Sequence, residues 1–189
     1  MMSEQDLKES IDNETELTIN PEWIRISDDQ YGKRKAIRRI VSSIPLFRGL
    51  SRHNWHELSN LFHLRQFKDG EIIFETGTPG LGMYVIIEGE VRILGEQVGT
   101  EVVFARLDSG DFFGELSLVD DAPRSATAVA KGETRLIGIF RPQLQQLIRH
   151  RPKLGVTLLE RLAGIVAKRL RESNDLLEET RKIIASEDS

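Results

Sequence analysis

Between residues 64 and 140 the chain breaks into short stretches rich in β-branched and aromatic residues: "LRQF", "EIIFE", "MYVIIE", "EVRILG", "TEVVFARL", "SATAVA" and "TRLIGIF". Turn signals stand between them, in "KDG", "TGTPGLG", "EGE", "GEQVG" and "DSGD". Glycine there supplies the positive φ that tight turns require, and aspartate hydrogen-bonds its own main chain. Polar and apolar residues roughly alternate within "EIIFE" and "EVRILG", as they do in strands with one face inward. Short strands at regular spacing, with glycine between them, predict a small barrel, roll or sandwich.

On either side the period lengthens to that of a helix. The pattern is helical from Asp29 to Ser43, and Pro45 in "SIPLF" predicts its end, since the residue before a proline is pushed out of the helical region. In "LSRHNWHELSNLF", Ser51 is an N-cap candidate, and Trp55, Leu58, Leu61 and Phe62 share one face at helical spacing. After the strands, Pro142 stands in the first turn of a helix over "RPQLQQLIRH", and Pro152 opens a longer one from about Lys153 to Ile184. Along it Leu162, Val166, Arg169, Ser173, Leu176, Thr180 and Ile183 recur at alternating steps of four and three. That is a heptad seam, interrupted by polar groups at Arg169, Ser173 and Thr180. Either the seam buries itself on the strand domain or it pairs with the same helix of a second chain. Its length exceeds what the strand domain covers, so a parallel homodimer through this helix is expected. The organisation read from these patterns is an acidic flexible tail over 1–28, N-terminal helices over 29–63, a strand domain over 64–140 and C-terminal helices over 141–189.

With 189 residues the chain has room for one domain of ordinary size plus extensions. Its 39% hydrophobic and 30% charged residues fit a folded globular protein rather than a disordered one. The longest strongly apolar stretch, around "LGMYVII", falls far short of the ~20 residues that span a bilayer. "MMSEQDLKES" lacks the basic start and apolar segment of a secretory signal. The absence of cysteine excludes disulfides and thiolate metal sites. A cytoplasmic location without membrane association is the resulting expectation. The formal net charge of -4 covers a local imbalance: residues 1–30 are dominated by Glu and Asp, whereas "KRKAIRR" (Lys33 to Arg39) is basic. That run could touch nucleic acid or an acidic lipid surface. A solvated helix face beside an acidic tail also accounts for it, and one short run supplies few of the phosphate contacts that nucleic-acid binders use.

The chemistry concentrates in "FGELSLVDDAPRSATA", Phe113 to Ala128. A glutamate held beside backbone N–H groups accepts hydroxyls, and an arginine presents a planar fork of donors that suits phosphate oxygens. Glycine and alanine let a ligand approach the main chain, whose N–H groups can then face an anion. One hydroxyl acceptor and one phosphate clamp fit a compact sugar phosphate; a large polyanion needs more positive charge. The stretch resembles the phosphate-binding cassette of the cyclic nucleotide-binding domain family. The resemblance continues through "IPLFRGLS", "DGEIIFETGTPGLGMYVIIEGEVRI" and "LDSGDFFGE" and covers roughly residues 40 to 180. It implies a mainly β fold with flanking α, a jelly-roll-like β-roll with N-terminal helices and a long C-terminal helix, and cAMP or cGMP as ligand. Carried over by position, Gly114 and Glu115 engage the ribose 2′-hydroxyl, Glu115 through its carboxylate. Arg124 pairs with the cyclic phosphate, assisted by the Ser125 hydroxyl and the backbone N–H groups of Ser125 and Ala126. Phe113, Leu116, Ser117 and Pro123 complete the implied ligand-binding set, together with Thr127, which also stands where a strand begins.

The long helix resembles that of the catabolite-activator-like regulators, whose dimer helix carries adenine-contacting polar residues shortly after an Arg-Leu pair. "KRLRESND" places Ser173 and Asn174 there, after Arg169, as lid contacts or as simple heptad interruptions. Those regulators continue into a helix-turn-helix domain, whereas this sequence stops at Ser189, so no DNA recognition by helix-turn-helix is expected. Kinase regulatory subunits, the other members it resembles, usually carry two tandem cassettes; one is found here. No enzyme is expected. Metal-binding oxygenases of similar shape need two histidines and a carboxylate inside the barrel, yet the strand stretches lack histidine, with His53, His56 and His63 before them and His150 after. His53 and His56 stand a helical step apart without a third nearby ligand, and no nucleophile motif or Walker loop occurs. No cofactor or metal is implied. The expected function is a cyclic nucleotide sensor, cAMP before cGMP, whose long helix relays to an unidentified effector protein. Two alternatives stay open. One is a cGMP sensor with the same pocket, since the Ser125 hydroxyl could reach a guanine amino group; the other is a nucleic-acid-associated regulator using residues 33–39.

Overall fold

A computed structural model describes residues 22–25, 31–97 and 99–187. Most of the expected acidic tail, residues 1–21 and 26–28, lies outside the described residues. In chain order the elements are β1 (Ile24–Arg25), α1 (Tyr31–Ser43), α2 (Arg52–Ser59), β2 (His63–Phe67), β3 (Ile72–Phe74), β4 (Gly82–Gln97), β5 (Thr100–Leu107), β6 (Phe112–Phe113), a 3-10 turn (Glu115–Leu118), β7 (Thr127–Phe140), α3 (Arg141–His150) and α4 (Pro152–Glu187).

Two long strands, β4 and β7, pair antiparallel and form the spine of a seven-stranded sheet. Along its other edge β7 takes β2 beside Thr134–Gly138 and β3 beside Ala128–Val129. Along its other edge β4 takes β6 beside Tyr84–Val85 and β5 beside Val91–Gln97. Each long strand therefore serves two short neighbours. The sequence reading puts a turn at "EGE" and parts "SATAVA" from "TRLIGIF", but both strands run through. Gly89 (φ 91) and Gly132 (φ 70) absorb the bends, and the β4–β7 register slips between Ile86 and Glu88 and again between Glu88 and Glu90. A glycine within a paired strand makes a bulge where an isolated hairpin would make a turn. At Gly89 a Cβ would lie 2.6 Å from the Glu133 carbonyl oxygen, so the bend also requires the missing side chain.

Alternation along these strands divides the interior in two. Met83, Val85, Ile137 and Ile139 face the helices, where they pack with Val41, Phe47, Leu58, Phe62, Leu144 and Leu158. Their strand neighbours Tyr84, Ile86, Leu136 and Phe140 face the inside of the roll with Phe67, Val91 and Phe113. The run "MYVII" is apolar throughout because both of its faces are covered.

Two expectations are corrected at the start of the sheet. Residues 22–25 do not belong to a tail: Ile24 pairs with Leu64 and Arg25 with His63. The Trp23 ring packs 5.9 Å from Phe67 and 5.5 Å from both Tyr84 and Phe140. His63 does not precede the strands but opens β2 opposite Gly138, buried against Phe140. An apolar "WI" pair was the available signal, outweighed by the acidic residues around it.

The helices follow their local signals. Ser51 Oγ accepts from the Asn54 N–H at 3.2 Å and caps α2, which buries Leu58 while Trp55 and Leu61 pack against the same core. Helix α1 ends two residues before Pro45, and Pro142 lies in the first turn of α3. Helix α4 has 36 residues, about 54 Å at 1.5 Å per residue. It buries Leu154, Leu158 and Leu162 and partly buries Ile165 and Val166. Beyond them the seam positions Leu176 and Ile183 are 64% and 54% exposed, so the last apolar seam position packed against the core is Val166, although Arg169 still reaches the strand domain. No helix among the described residues is long and apolar enough to cross a membrane.

Candidate ligand-binding site

The stretch singled out by its chemistry folds into a tight structure between β6 and β7. Gly114 takes a left-handed conformation (φ 71) and begins the 3-10 turn. A Cβ there would lie 2.6 Å from Arg124 Nη1 and 3.2 Å from the Gly82 carbonyl oxygen, so glycine is needed for both backbone angle and space. The turn buries Glu115, Ser117 and Leu118 and leaves Leu116 48% exposed. Leu118 joins the helical core, so one short turn touches both the cavity and the helices.

Arg124 is only 6% exposed. Its main chain is tied to the β3–β4 loop, with the Arg124 N–H donating to the Thr78 carbonyl at 2.9 Å and the Gly77 N–H donating back at 2.8 Å. Nη1 donates to Ser117 Oγ at 2.6 Å and to the Gly114 carbonyl at 3.3 Å, and Nη2 donates to the Gly82 carbonyl at 2.8 Å. The guanidinium carbon sits 4.1 Å from the Phe74 ring centroid and 5.5 Å from that of Tyr84, within cation–π range. All of these partners are neutral. Among the described residues no carboxylate forms an ion pair with Arg124, and its buried Nε has no hydrogen-bond partner. Burial pushes its pKa below the ordinary arginine value, partly opposed by Tyr84 and Glu115, and the same burial raises that of Tyr84. A desolvated cation without a counterion is costly, and an anion entering beside it would offset that cost.

Arg124 and Glu115 line one cavity of about 430 Å³, a size within the roughly 300–1,000 Å³ of small-molecule sites. Phe113, Gly114, Leu116, Ser117, Pro123, Ser125 and Ala126 line the same cavity. Glu115 is 2% exposed, and its Oε1 accepts from Arg169 Nη1 of α4 at 2.5 Å. Arg169 also donates to the Phe112 carbonyl at 3.2 Å and lies 5.0 Å from the Phe112 ring centroid, which brings it into the lining.

The other expected contacts lie elsewhere. Thr127 opens β7 and turns its hydroxyl to Thr76, accepting from the Thr76 N–H at 3.0 Å, and it is not part of the cavity lining. Ser173 and Asn174 are exposed on α4 and outside the lining. Residue-by-residue reasoning missed the apolar wall of Ile93, Ala105, Leu107 and Phe112 and the carboxylate of Asp120. The wall was legible in principle, because Ile93 pairs with Ala105 and Val91 with Leu107 across an alternating hairpin. Asp120 carried no such signal; its Oδ1 accepts from the Ala122 N–H at 2.9 Å and caps the loop ahead of Pro123. Among the described residues no cluster of three His, Asp or Glu could hold a metal ion.

Comparison with known proteins agrees with this geometry. Residues 64–151 match the family model described as Cyclic nucleotide-binding domain. The chain is 37% identical over 147 residues to the Cyclic AMP receptor protein of Thermus thermophilus, covering 75% of this chain and 66% of that protein. It is 30% identical over 141 residues to a cAMP-dependent protein kinase regulatory subunit of Mycosarcoma maydis, covering 75% of this chain and 26% of that one. These curated relatives thus extend well beyond the length they share with it. Among solved structures, the N-terminal domain of a transcriptional regulator from Streptomyces coelicolor A3(2) superposes with a TM-score of 0.63 at 32% identity, covering 73% of this chain and 94% of that one. The chain belongs to the cyclic nucleotide-binding domain family.

Proposed function

We propose that this chain is a cyclic nucleotide sensor without catalytic activity of its own, that cAMP is its ligand, and that α4 carries the response to an effector protein. The observation that carries the reading is the buried Arg124 guanidinium, bordering the cavity with neutral partners only. In it the monoanionic cyclic phosphate meets Arg124 and the main chain at Ser125 and Ala126. The ribose 2′-hydroxyl meets Glu115 beside Gly114, and the base lies along the apolar wall of Ile93, Ala105 and Leu107. Relatives named for cAMP support that ligand. Ser125 in the lining favours cGMP as the second reading, since its hydroxyl offers a partner to a guanine amino group.

The relay rests on Arg169. Glu115 is the proposed ribose acceptor and also the partner of Arg169, so a bound hydroxyl and the α4 guanidinium meet at one carboxylate. A ligand shifts the position of α4 only by its differential affinity for the two helix states, typically ~1–3 kcal/mol of coupling. Beyond Val166 the helix presents the seam positions Leu176 and Ile183 to solvent, a surface suited to the same helix of a second copy.

Calorimetric titration with cAMP, cGMP and 5′-AMP, together with hydrogen exchange along α4, tests the proposal. Saturable binding of a cyclic nucleotide is expected, with 5′-AMP weaker by about tenfold or more, because the cavity wall carries Glu115 and Asp120 beside its arginines and a second phosphate charge is unwelcome there. Exchange around Arg169 should change with the cyclic ligand. Equal affinity for 5′-AMP, or no binding of either cyclic nucleotide, contradicts the reading.

A further inference from the structure

Ser117 is the fifth residue of the stretch beginning at Phe113, and its side chain turns inward from the 3-10 turn rather than outward. Its Oγ accepts from Arg124 Nη1 at 2.6 Å, shorter than the guanidinium's bonds to the Gly82 and Gly114 carbonyls. The same Nη1 reaches the Gly114 carbonyl at 3.3 Å, which also accepts from the Ser117 N–H at 3.2 Å. On the far side of the hydroxyl stands Gly80, so close that a Cβ there would lie 2.1 Å from Ser117 Oγ and 2.8 Å from Ser117 Cβ. Gly80 is itself held by its carbonyl, which accepts from Arg141 Nη2 at 2.6 Å. The hydroxyl therefore has little freedom to swing away from the arginine.

These contacts decide which way the guanidinium points. Nη2 is fixed on the Gly82 carbonyl, Nη1 on Ser117 and Gly114, and the face on Phe74, which leaves Nε as the buried guanidinium nitrogen without a hydrogen-bond partner. An arginine binds phosphate well only when its planar fork is presented in one orientation. Without the Ser117 hydroxyl, Nη1 keeps one long bond, and the plane is held only by the Gly82 carbonyl and the aromatic faces.

We propose that Ser117 is the positioning residue of the phosphate clamp: its hydroxyl, confined by Gly80, holds the Arg124 guanidinium in the orientation that meets a cyclic phosphate. The assignment rests on the ligand reading above and adds a role that is exerted through Arg124. Its signature is a loss confined to the phosphate and dependent on the arginine.

The 189-residue wild type, Ser117→Ala, Arg124→Ala and the double variant are titrated with cAMP and with adenosine, which lacks the phosphate. Ser117→Ala should weaken cAMP by roughly 10- to 100-fold, the worth of a hydrogen bond to a charged group, and leave adenosine unchanged. In the Arg124→Ala background the same change should cost nothing further. Gly80→Ala, which keeps the hydroxyl but displaces it, should reproduce the phosphate-specific loss, with circular dichroism confirming that each variant is folded. An undiminished cAMP affinity in Ser117→Ala, an equal loss for adenosine, or the same loss without Arg124 overturns the positioning role while leaving the site intact. Wild type that binds neither cAMP nor cGMP removes the ligand reading, and the positioning role with it.

Discussion

Glu115 and Arg124 are both almost fully buried, yet they are treated oppositely by their surroundings. The carboxylate has a cation at 2.5 Å in Arg169, whereas the guanidinium has carbonyls, a hydroxyl and two aromatic faces. Under the proposed reading the two account for different parts of one ligand, and they should be separable by chemistry. Wild type should bind 2′-deoxy-cAMP roughly 10- to 100-fold more weakly than cAMP, because a hydroxyl on a carboxylate is lost. Glu115→Ala should show almost no difference between the two ligands in the same competition assay. A full 2′-deoxy penalty in the variant would remove Glu115 from the ribose. At this scale the sequence was informative where residue type and chemistry coincide, as at Glu115 and Arg124. It was silent on Asp120, whose place in the cavity follows from the path of the loop, and two-sided at Thr127, which opens β7 and whose hydroxyl meets Thr76 across 51 residues of sequence.

At the scale of elements, Gly89, which reads as a turn, and Gly132, where the sequence divides one strand into two, sit instead at irregularities within β4 and β7, where the strands bend. Gly132 shows how such a bend is held: its N–H donates to Asp69 Oδ1 at 2.6 Å, with Lys131 Nζ 3.5 Å away. That hydrogen bond, helped by Lys131, lowers the Asp69 pKa from its ordinary value. A carboxylate with a depressed folded-state pKa contributes stability above its unfolded pKa of about 3.9, and the contribution fades as pH falls through the lower folded value. Asp69→Asn should therefore lose less stability than wild type between pH 6 and pH 3 in urea denaturation, with the difference appearing below about pH 4. Parallel loss in the two proteins would assign the acid sensitivity elsewhere. Helices α2, α3 and α4 were legible because Ser51, Pro142 and Pro152 are local signals. The bulges were not, because whether a glycine turns a chain or bends it depends on what pairs alongside, and β7 pairs with β4 from more than thirty residues away. Strand β1 failed for the same reason: two residues become a strand only because β2 offers an edge.

Over the whole molecule, the cassette is the junction between two interiors. Leu118 belongs to the helical core, Phe113 to the core of the roll, and Glu115 reaches α4 through Arg169. A change at the phosphate end therefore has packed routes to the helices, the arrangement a ligand-linked shift requires. The heptad seam was legible as a pattern, but its extent of burial was not, since which of its positions pack depends on where the helix leaves the core: Val166 is the last apolar one, and Arg169 reaches the roll through Glu115. All of this depends on Arg124 being a clamp for an anionic ligand rather than a structural cation. Calorimetric titration of wild type and Arg124→Ala with cAMP tests that most directly. The account predicts a dissociation constant higher in the variant by about one and a half to three and a half decades, the ~2–5 kcal/mol lost when a desolvated charge loses its partner; equal affinity in the two folded proteins would contradict it.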